Sequence, residues 1–316
     1  MLKYLIVQLD DTATSFCHYP NGRTERRLIP VETLKNALVW SMKENLNVQF
    51  VYPNEELPSE YKAVIDTVDH VDIVSSRCCD AVLKESADVV VFDSTSDFGG
   101  YQFKKGTAYV LRTDIDSFLT DTKCIKSVLP LVDRLNVVFT DPEKFTDKMV
   151  ADYSTSLDEI ATVITAEYQN NHHVQLNLLT DRILLDKMNN CNAGDESITL
   201  APDGQFYVCP AFYLDGEKSV GNPKTGVAIP NSQLYRLDHA PICRTCDTWQ
   251  CRRCAWLNRR LTLEVNTPSR QQCVMAHVER NASRKLLAEI RKIGEFMPGN
   301  DIPEIDYLDP FDNLQK

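Results

Sequence analysis

Short apolar runs alternate with longer amphipathic stretches through the first 180 residues of the chain. Seven of these runs are rich in β-branched residues and have the length of strands. In order they are YLIVQLD, VQFVYP, VDIVS, DVVVFD, TAYVLRT, LNVVFT and VQLNLLT. This alternation is typical of βαβ units around a parallel sheet. It predicts an α/β fold with an open or partial (βα) barrel, and a doubly wound sheet is the alternative.

The stretches between the runs have the helical period. Their apolar faces are formed by Leu34, Ala37, Leu38 and Met42 in ETLKNALVWSMKEN, and by Ile160, Val163 and Ile164 in SLDEIATVITAEY. We expect these faces to pack on the sheet, and we assign them no chemistry.

The composition and pattern of the chain change after Asn190, where cysteines, prolines and Gly-Asp or Asp-Gly turns replace the long periodic runs. A loop-rich segment of this kind needs covalent or metal staples to be stable. A helical stretch, ASRKLLAEIRKIGEF, follows before an acidic end. We therefore predict a βα domain over residues 1–185, a small cysteine-rich domain over 186–285, and a helix end with an acidic tail over 286–316.

Composition and charge narrow the class of protein. A hydrophobic content of 43% supports a packed core, and a net charge of −11 argues against nucleic acid or an anionic membrane as the partner. We find no secretory signal and no apolar run of about 18 residues, the length that a membrane helix needs. The expected location is the cytoplasm.

The eleven cysteines are unevenly placed. In a reducing compartment, cysteines are better explained by metal, cluster or thiol chemistry than by disulfides. We expect the four scattered ones, Cys17, Cys78, Cys79 and Cys124, to be small buried apolar residues. The other seven crowd into the later part of the chain: Cys191, Cys209, Cys243, Cys246, Cys251, Cys254 and Cys273.

The spacing of these seven cysteines indicates two metal or cluster sites. Between Cys191 and Cys209, the strand SITLA, the turn Pro-Asp-Gly and the strand QFYVC predict a hairpin that brings the two cysteines together. Residues 243–254 follow the pattern Cys-x2-Cys-x4-Cys-x2-Cys, in which each Cys-x2-Cys step can place two thiolates on one metal. Iron-sulfur clusters, zinc, and disulfides or free thiols all remain open on this evidence.

The set resembles the SPASM domain, an auxiliary-cluster module of radical SAM enzymes that modify peptides. Cys191, twelve residues, Gly204, four residues and Cys209 fit its pattern, whereas the last two spacers of the four-cysteine run are each one residue shorter than usual. The resemblance implies two 4Fe-4S clusters. One would be held by Cys243, Cys246, Cys251 and Cys273, and the other by Cys191, Cys209 and Cys254.

Matched to the family pattern, this chain supplies only three thiols for the second of these clusters. Family members with full ligation have an extra cysteine where this chain has Asp195, Glu196 and Ser197. Three interpretations are open: a carboxylate or other ligand, an iron open to a substrate thiolate, or no second cluster. We favour the open iron, because a vacant site can bind a cysteine side chain.

The loop after the first strand lacks the radical SAM motif Cys-x3-Cys-x2-Cys. When Cys17 is laid on the third cysteine of the motif, Asp10 and Thr14 occupy the other two positions. We therefore predict a degenerate radical-SAM-like barrel with no S-adenosylmethionine cluster. Asp10, Asp11 and Asp93, at strand ends, are as well suited to helix capping as to catalysis.

A seven-cysteine tail on such a front half resembles the CXXX repeat peptide maturase family. The resemblance implies a cluster-bearing accessory protein in the maturation of a ribosomally made cysteine-repeat peptide, binding substrate or relaying electrons. Its partners would be that precursor peptide and a true radical SAM enzyme, in a heterodimer. The alternative is a zinc-stapled module that binds a peptide or protein. We find no phosphate loop, nucleophile elbow or zinc-protease helix to support a self-sufficient enzyme.

Arginines and aromatic residues accompany the cysteines. The arginines form either a solvated face or a dock for an acidic peptide or partner: Arg244, Arg252, Arg253, Arg259 and Arg260. We expect Trp249 and Trp256 to pack over a cluster, and His172 and His173 to lie at the surface.

Overall fold

Seven parallel strands form the sheet that the apolar runs predict. The computed structural model describes residues 2–185, 187–188 and 191–294. The strands of the first half are β1 (Tyr4–Gln8), β2 (Asn47–Val51), β3 (His70–Ser75), β4 (Val89–Phe92), β5 (Ala108–Thr113), β6 (Arg134–Phe139) and β7 (Gln175–Leu176). Each overlaps one predicted run, although VQLNLLT contributes only two strand residues.

Neighbouring strands in this sheet are consecutive in the chain. The order is β7-β6-β5-β4-β3-β2-β1, and every one of these pairs is parallel. A doubly wound sheet reverses its order at a switch point, and from β1 to β7 no reversal occurs. The partial (βα) barrel is confirmed, and the doubly wound alternative is wrong.

Helices cross between the strands and continue into the second half. In the described ranges they are α1 (Val31–Lys43), α2 (Ser59–Ile65), α3 (Ala81–Ser86), α4 (Ile115–Thr120), α5 (Thr122–Val128), α6 (Val150–Gln169), α7 (Asp181–Leu184), α8 (Pro210–Leu214), α9 (Ala255–Thr262) and α10 (Arg270–Ile293).

The predicted apolar face of α1 is correct except at its end. Leu34, Ala37 and Leu38 are buried, whereas Met42 is 67% exposed. Ser41 is buried in its place, because its hydroxyl donates to the carbonyl of Leu38 at 2.8 Å and so satisfies its polar group within the helix.

The alternation of side chains along the strands creates two separate cores. In β1, Leu5 and Val7 point to the large core beneath the helices, and Ile6 points to the concave side of the sheet. The concave core is small, and Ala13 and Phe16 from the loop after β1 pack against it. That loop therefore lies over the inner face of the barrel.

The predicted hairpin forms and extends the same sheet. Strand β8 (Ser197–Leu200) pairs with β9 (Phe206–Tyr207) in antiparallel fashion, and β8 also pairs with β1 in parallel. Gly204 in the turn has a φ of +79°, which glycine adopts without strain. The sheet thus continues from the βα half into the cysteine-rich half. A small second hairpin consists of β10 (Gly221–Asn222) and β11 (Gly226–Val227).

Helix α10 ties the end of the described chain to the barrel. It begins with a capping box, in which Ser269 and Gln272 satisfy each other's backbone N–H groups. Further along, Tyr153 of α6 donates to Glu279 at 2.7 Å, and Lys285 pairs with Asp158 at 2.9 Å. The helix continues past residue 285. The acidic tail predicted beyond it lies outside the described residues.

Candidate functional site

Four cysteines from distant parts of the chain line one cavity. They are Cys17, Cys191, Cys209 and Cys254, named here the sheet-edge set, and the cavity encloses about 440 Å³ of empty space including its opening to solvent. Three of these are the cysteines predicted to share a cluster. The fourth, Cys17, comes from the βα half.

Secondary structure explains how the four meet. Pairing of β8 with β1 sets the start of the hairpin beside the first strand, and Cys209 lies two residues after β9. Cys254 is the N-cap of α9, and its sulfur accepts a hydrogen bond from the backbone N–H of Leu257 at 3.5 Å. Cys17 comes from the loop after β1, which lies over the concave face of the sheet, where Phe16 packs against Ile6.

The thiols of the sheet-edge set interact with one another. The thiols of Cys254 and Cys17 lie close to each other, and their interaction lowers the pKa of Cys17 and raises that of Cys254. Burial, followed by the nearby Cys191 sulfur, raises the pKa of Cys209. Crowded thiols of this kind are costly to ionise unless a positive group offsets their charge.

The backbone around Cys17 is held by side chains at the carboxyl ends of the barrel strands. Arg112 of β5 donates to the carbonyl of Cys17 at 3.0 Å and to that of Tyr19 at 2.8 Å, and it forms an ion pair with Asp93. The ring Nδ1 of His18 lies 2.7 Å from the carbonyl of Phe139, at the end of β6. Residues 17–19 are therefore fixed across the mouth of the barrel.

Asp10 and Thr14 stand at the two other positions of the missing motif, and each already has a hydrogen-bond or ion-pair partner. Asp10 is fully buried, accepts from the backbone N–H of Thr12 at 2.8 Å, and pairs with Arg26 at 3.1 Å. The backbone N–H of Thr14 donates to the carbonyl of Tyr52 at 3.0 Å. Neither side chain is a thiolate, and the Asp10 carboxylate is already paired.

The polar residues suggested as a fourth ligand do not offer a carboxylate to the cavity. Glu196 pairs with Lys3 and accepts from Asn192 at 2.8 Å, and Asp195 contributes to the electrostatic field at Lys3. Ser197 lines the cavity, but its hydroxyl donates to the carbonyl of Cys191 at 2.9 Å.

The remaining four cysteines, Cys243, Cys246, Cys251 and Cys273, are named the tail set. The sulfur of Cys251 interacts electrostatically with those of the other three, and burial raises its pKa. Burial also raises the pKa of Cys243 to about 11. Cys246 donates to the hydroxyl of Thr248 at 3.0 Å. The structure thus places near one another the four residues that the SPASM resemblance assigns to one cluster.

A buried ion network holds the loop of the tail set. Asp247 follows Cys246, is 4% exposed, and pairs with Arg182 at 3.1 Å, Arg280 at 3.3 Å and Arg284 at 3.2 Å. These arginines come from α7 and α10, so the loop is tied to both helices. The sequence pattern gave no signal for this network, because its members are far apart in the chain.

The predicted arginine cluster is divided between the interior and the surface. Arg253 is buried and donates to the carbonyl of Tyr235 at 2.6 Å, while Arg252 is half-buried and donates to Asn136 at 3.3 Å. The other three, Arg244, Arg259 and Arg260, are exposed.

Arg253 lies between the two cysteine sets. Its positive charge acts on Cys191 of one set and on Cys243 of the other. Its Nε and Nη1 atoms are buried and have no hydrogen-bond partner in the described part of the chain. Buried donors without partners are rare and call for an acceptor. An anionic iron-sulfur cluster on either side fits these donors and the thiol-rich, otherwise largely apolar cavity.

The donors are not gathered tightly enough for a single ion. Among the described residues, no three His, Cys, Asp or Glu side chains form a group that could hold one metal ion.

The two tryptophans near the cysteines lie in the interior, whereas the two adjacent histidines lie at or near the surface. Trp249 and Trp256 are buried, and Trp256 lines the sheet-edge cavity. His172 is half-buried against Glu167 at 2.7 Å, and His173 is exposed.

Burial of the scattered cysteines differs from one to the next. Cys78 is buried as expected, but Cys79 is exposed and Cys17 and Cys124 are half-buried, so the expectation was wrong for these three.

A second cavity of about 460 Å³ lies beside the tail set at the carboxyl end of β6. His18, Gln250, Cys251 and Glu279 are among its lining residues. Burial raises the pKa of Glu279 to about 7, while bonds from Tyr153 and Gln250 oppose this shift. The sequence pattern gives no role to His18, Gln250 or Glu279. Only the position of His18 and Gln250 next to cysteines could have singled those two out.

Comparison with solved structures agrees with this architecture. The chain superposes on native anSMEcpe with bound AdoMet and Cp18Cys peptide at a TM-score of 0.61 and 13% identity, covering 92% of this chain and 99% of that one. Native anSMEcpe with bound AdoMet gives 0.59 and 14%, covering 91% and 99%. Streptococcus suis SuiB bound to precursor peptide SuiA gives 0.49 and 10%, covering 86% and 76%.

The first two similarities show the fold. It is an α/β fold with a parallel sheet that resembles a partial radical SAM barrel, followed by a cysteine-rich region. No protein-family model matches the chain, and no curated protein matches it. No helix in the described ranges has the length and apolarity required to cross a bilayer.

Proposed function

We propose that this protein carries two 4Fe-4S clusters and serves as a partner of a radical SAM enzyme in the maturation of a cysteine-repeat ribosomal peptide. It would bind the precursor, relay electrons, or do both. The observation that carries the proposal is the gathering of eight cysteines into two sets of four, next to a barrel whose AdoMet motif is absent.

The environment of the two sets supports clusters. The tail set offers four thiols within one segment. Between the sets, Arg253 supplies donors that have no partner among the described residues. When bound, 4Fe-4S clusters supply one-electron transfer at potentials tuned by hydrogen bonds to sulfur, net charge and burial. The residues of this chain would contribute the thiolate ligands, the Arg253 charge and a cavity wall that limits access of water.

The similarity to anSMEcpe supports a peptide as the substrate class. That protein was solved with AdoMet and with a Cp18Cys peptide. In this chain, the cavity beside Cys251 lies at the carboxyl end of the barrel, where this class of fold binds its ligands. We propose this cavity and the exposed Arg244, Arg259 and Arg260 as the surfaces that meet the precursor or the partner enzyme.

The loop after β1 supports an accessory role. Asp10 and Thr14 cannot act as thiolate ligands, and residues 17–19 are fixed across the mouth of the barrel. We therefore propose that the isolated protein does not cleave S-adenosylmethionine.

Metal and activity measurements on anaerobically purified protein test the proposal. We expect roughly eight iron and matching sulfide per chain, with a brown colour. One or two zinc without visible absorption would instead support the zinc-stapled module. In a reductive assay with S-adenosylmethionine, the iron-reconstituted protein should form no 5'-deoxyadenosine. Formation of that product would refute the accessory role.

A binding experiment tests the partners. The full chain, loaded with iron, is mixed with a cysteine-repeat peptide and with the same peptide bearing serine in place of every cysteine. Preferential binding of the cysteine form supports the proposal, and equal binding of both forms contradicts a role for substrate thiols.

A further inference from the structure

We infer that Cys17, from the loop after β1, is the fourth protein thiolate of the cluster held by Cys191, Cys209 and Cys254. The inference rests on the proposed function in that it requires a cluster at the sheet-edge cavity. It departs from the open iron that the family pattern suggested. No substrate thiolate is then needed to complete this site.

The geometry of the cavity carries the inference. Cys17 lines it together with the three expected cysteines, and its sulfur is within hydrogen-bonding reach of the Cys254 sulfur. Four thiols around one space match the four-thiolate ligation of a 4Fe-4S cluster. In the described part of the chain, no other cysteine lines this cavity.

The sequence neighbours of Cys191 do not compete for the position. The Glu196 carboxylate is engaged with Lys3, and the Ser197 hydroxyl donates to a backbone carbonyl. Both groups would have to give up these bonds to reach iron. The Cys17 thiol interacts with the thiol of Cys254, which is itself a ligand of the same cluster in this arrangement.

Cys17 is held in advance of any binding. Arg112 donates to the carbonyls of Cys17 and Tyr19, and His18 is bonded to Phe139, so the loop cannot swing away without breaking charged and neutral hydrogen bonds. Preorganisation of this kind lowers the cost of ligation. Arg112 is thus a positioning residue for the site. Binding forms one iron–sulfur bond, releases the thiol proton to solvent, and changes no oxidation state.

Ligation by Cys17 would connect the two halves of the molecule. The cluster would join the first strand of the barrel to the hairpin and to α9. Loss of the cluster should therefore loosen the βα half as well as the tail.

The test uses the full iron-loaded chain and the variant Cys17→Ser, with Cys79→Ser as the matched control at an exposed cysteine. A cluster with three cysteine ligands loses one iron as Fe²⁺ after one-electron oxidation by ferricyanide. We expect Cys17→Ser to lose one iron in four from one cluster and to develop the electron paramagnetic resonance signal of a three-iron cluster. Wild-type protein and Cys79→Ser should keep full iron.

An independent measurement avoids any folding defect of the variant. Excess 2-mercaptoethanol is added to reduced wild-type protein, and its resonance spectrum is recorded. A fully ligated cluster leaves the spectrum unchanged, whereas an open iron binds the added thiol and shifts it. A shifted wild-type spectrum, or a Cys17→Ser variant that behaves as wild type, overturns the inference and leaves the proposed function standing. Absence of iron from the wild type defeats both.

Discussion

Each cysteine set gathers four thiols, but different interactions bring the four together in each. All four members of the tail set come from residues 243–273, and one loop with one helix places them. The sheet-edge set comes from four separated segments, and a strand pairing, a hairpin and a helix N-terminus are needed to assemble it. The tail set is therefore assembled by residues close together in the sequence, whereas the sheet-edge set is assembled by tertiary contacts.

The difference determines what can disturb each site. The tail set depends on the Asp247 network, which joins its loop to α7 and α10. The sheet-edge set depends on Arg112, which holds the Cys17 loop from the end of β5. If the sets are independent, damage to one support should leave the other cluster intact.

The largest effect is expected from Asp247→Asn. The substitution leaves Arg182 and Arg280, both almost fully buried, without this counter-charge, and removing one member of a buried ion network costs about 3–5 kcal/mol. Chemical denaturation under anaerobic conditions measures the free energy of unfolding. Asp238→Asn, at an exposed pair with Arg236, is the control and should cost less than about 1 kcal/mol. Equal losses for the two variants would show that the network does not hold the loop.

The next largest effect is a dependence of the free energy of unfolding on pH. It arises from Glu279, which packs beside the tail set. Its pKa is raised to about 7 in the folded state from an ordinary value of 4.5. The folded protein therefore keeps a proton that the unfolded chain has lost between these values, and stability falls as pH rises through this window. A shift of this size corresponds to about 3 kcal/mol once the pH is above 7.

The variant Glu279→Gln removes the ionisable carboxyl group and, with it, this pH dependence of stability. Its free energy of unfolding relative to wild type should rise by about 2–3 kcal/mol between pH 5 and pH 8. Glu289→Gln, at an exposed pair with Lys292, should show no such change. A constant difference between Glu279→Gln and wild type across this range would contradict the raised pKa.

A smaller effect is expected from Arg112→Met, which acts on the sheet-edge set alone. The variant removes two hydrogen bonds to the Cys17 loop and the ion pair with Asp93, at a cost of about 2 kcal/mol. The sheet-edge cluster should lose iron faster to a chelator, while the tail cluster keeps its rate. Arg77→Met, at an exposed pair with Asp97, is the matched control. Faster loss from both clusters would show that the sets are coupled.

The smallest effect is expected in the hairpin turn. Gly204→Ala introduces a side chain at a φ of +79° and places its Cβ 3.0 Å from Thr33, at a cost of about 1 kcal/mol. Gly22→Ala meets no atom of the described residues within 4 Å and should be near neutral in thermal unfolding. A neutral Gly204→Ala would mean that the turn relaxes without moving the hairpin.

Local pattern predicted most of the scaffold. Strands β1 to β6 could be recognised because each places a short apolar run between polar turns, and the hairpin because Asp-Gly separates two alternating runs. Met42 was misassigned because the helical period specifies a face but not how far the sheet extends beneath it. The split of the arginines into buried and exposed members was also invisible, since neighbouring residues on a short loop can point in opposite directions.

The sequence by itself determined the strands and helices and the Cys-x2-Cys steps of the tail set, because these depend on residues close together in the chain. The order of the parallel strands was decided by the strand pairing, which separates a partial barrel from a doubly wound sheet. Only the tertiary structure decided that β8 pairs with β1 and that Cys17 meets Cys191, Cys209 and Cys254. The physical reason is that strand pairing and hydrogen bonds such as those of Arg112 act between residues nearly a hundred or more positions apart. Spacing along the chain carries no record of such contacts.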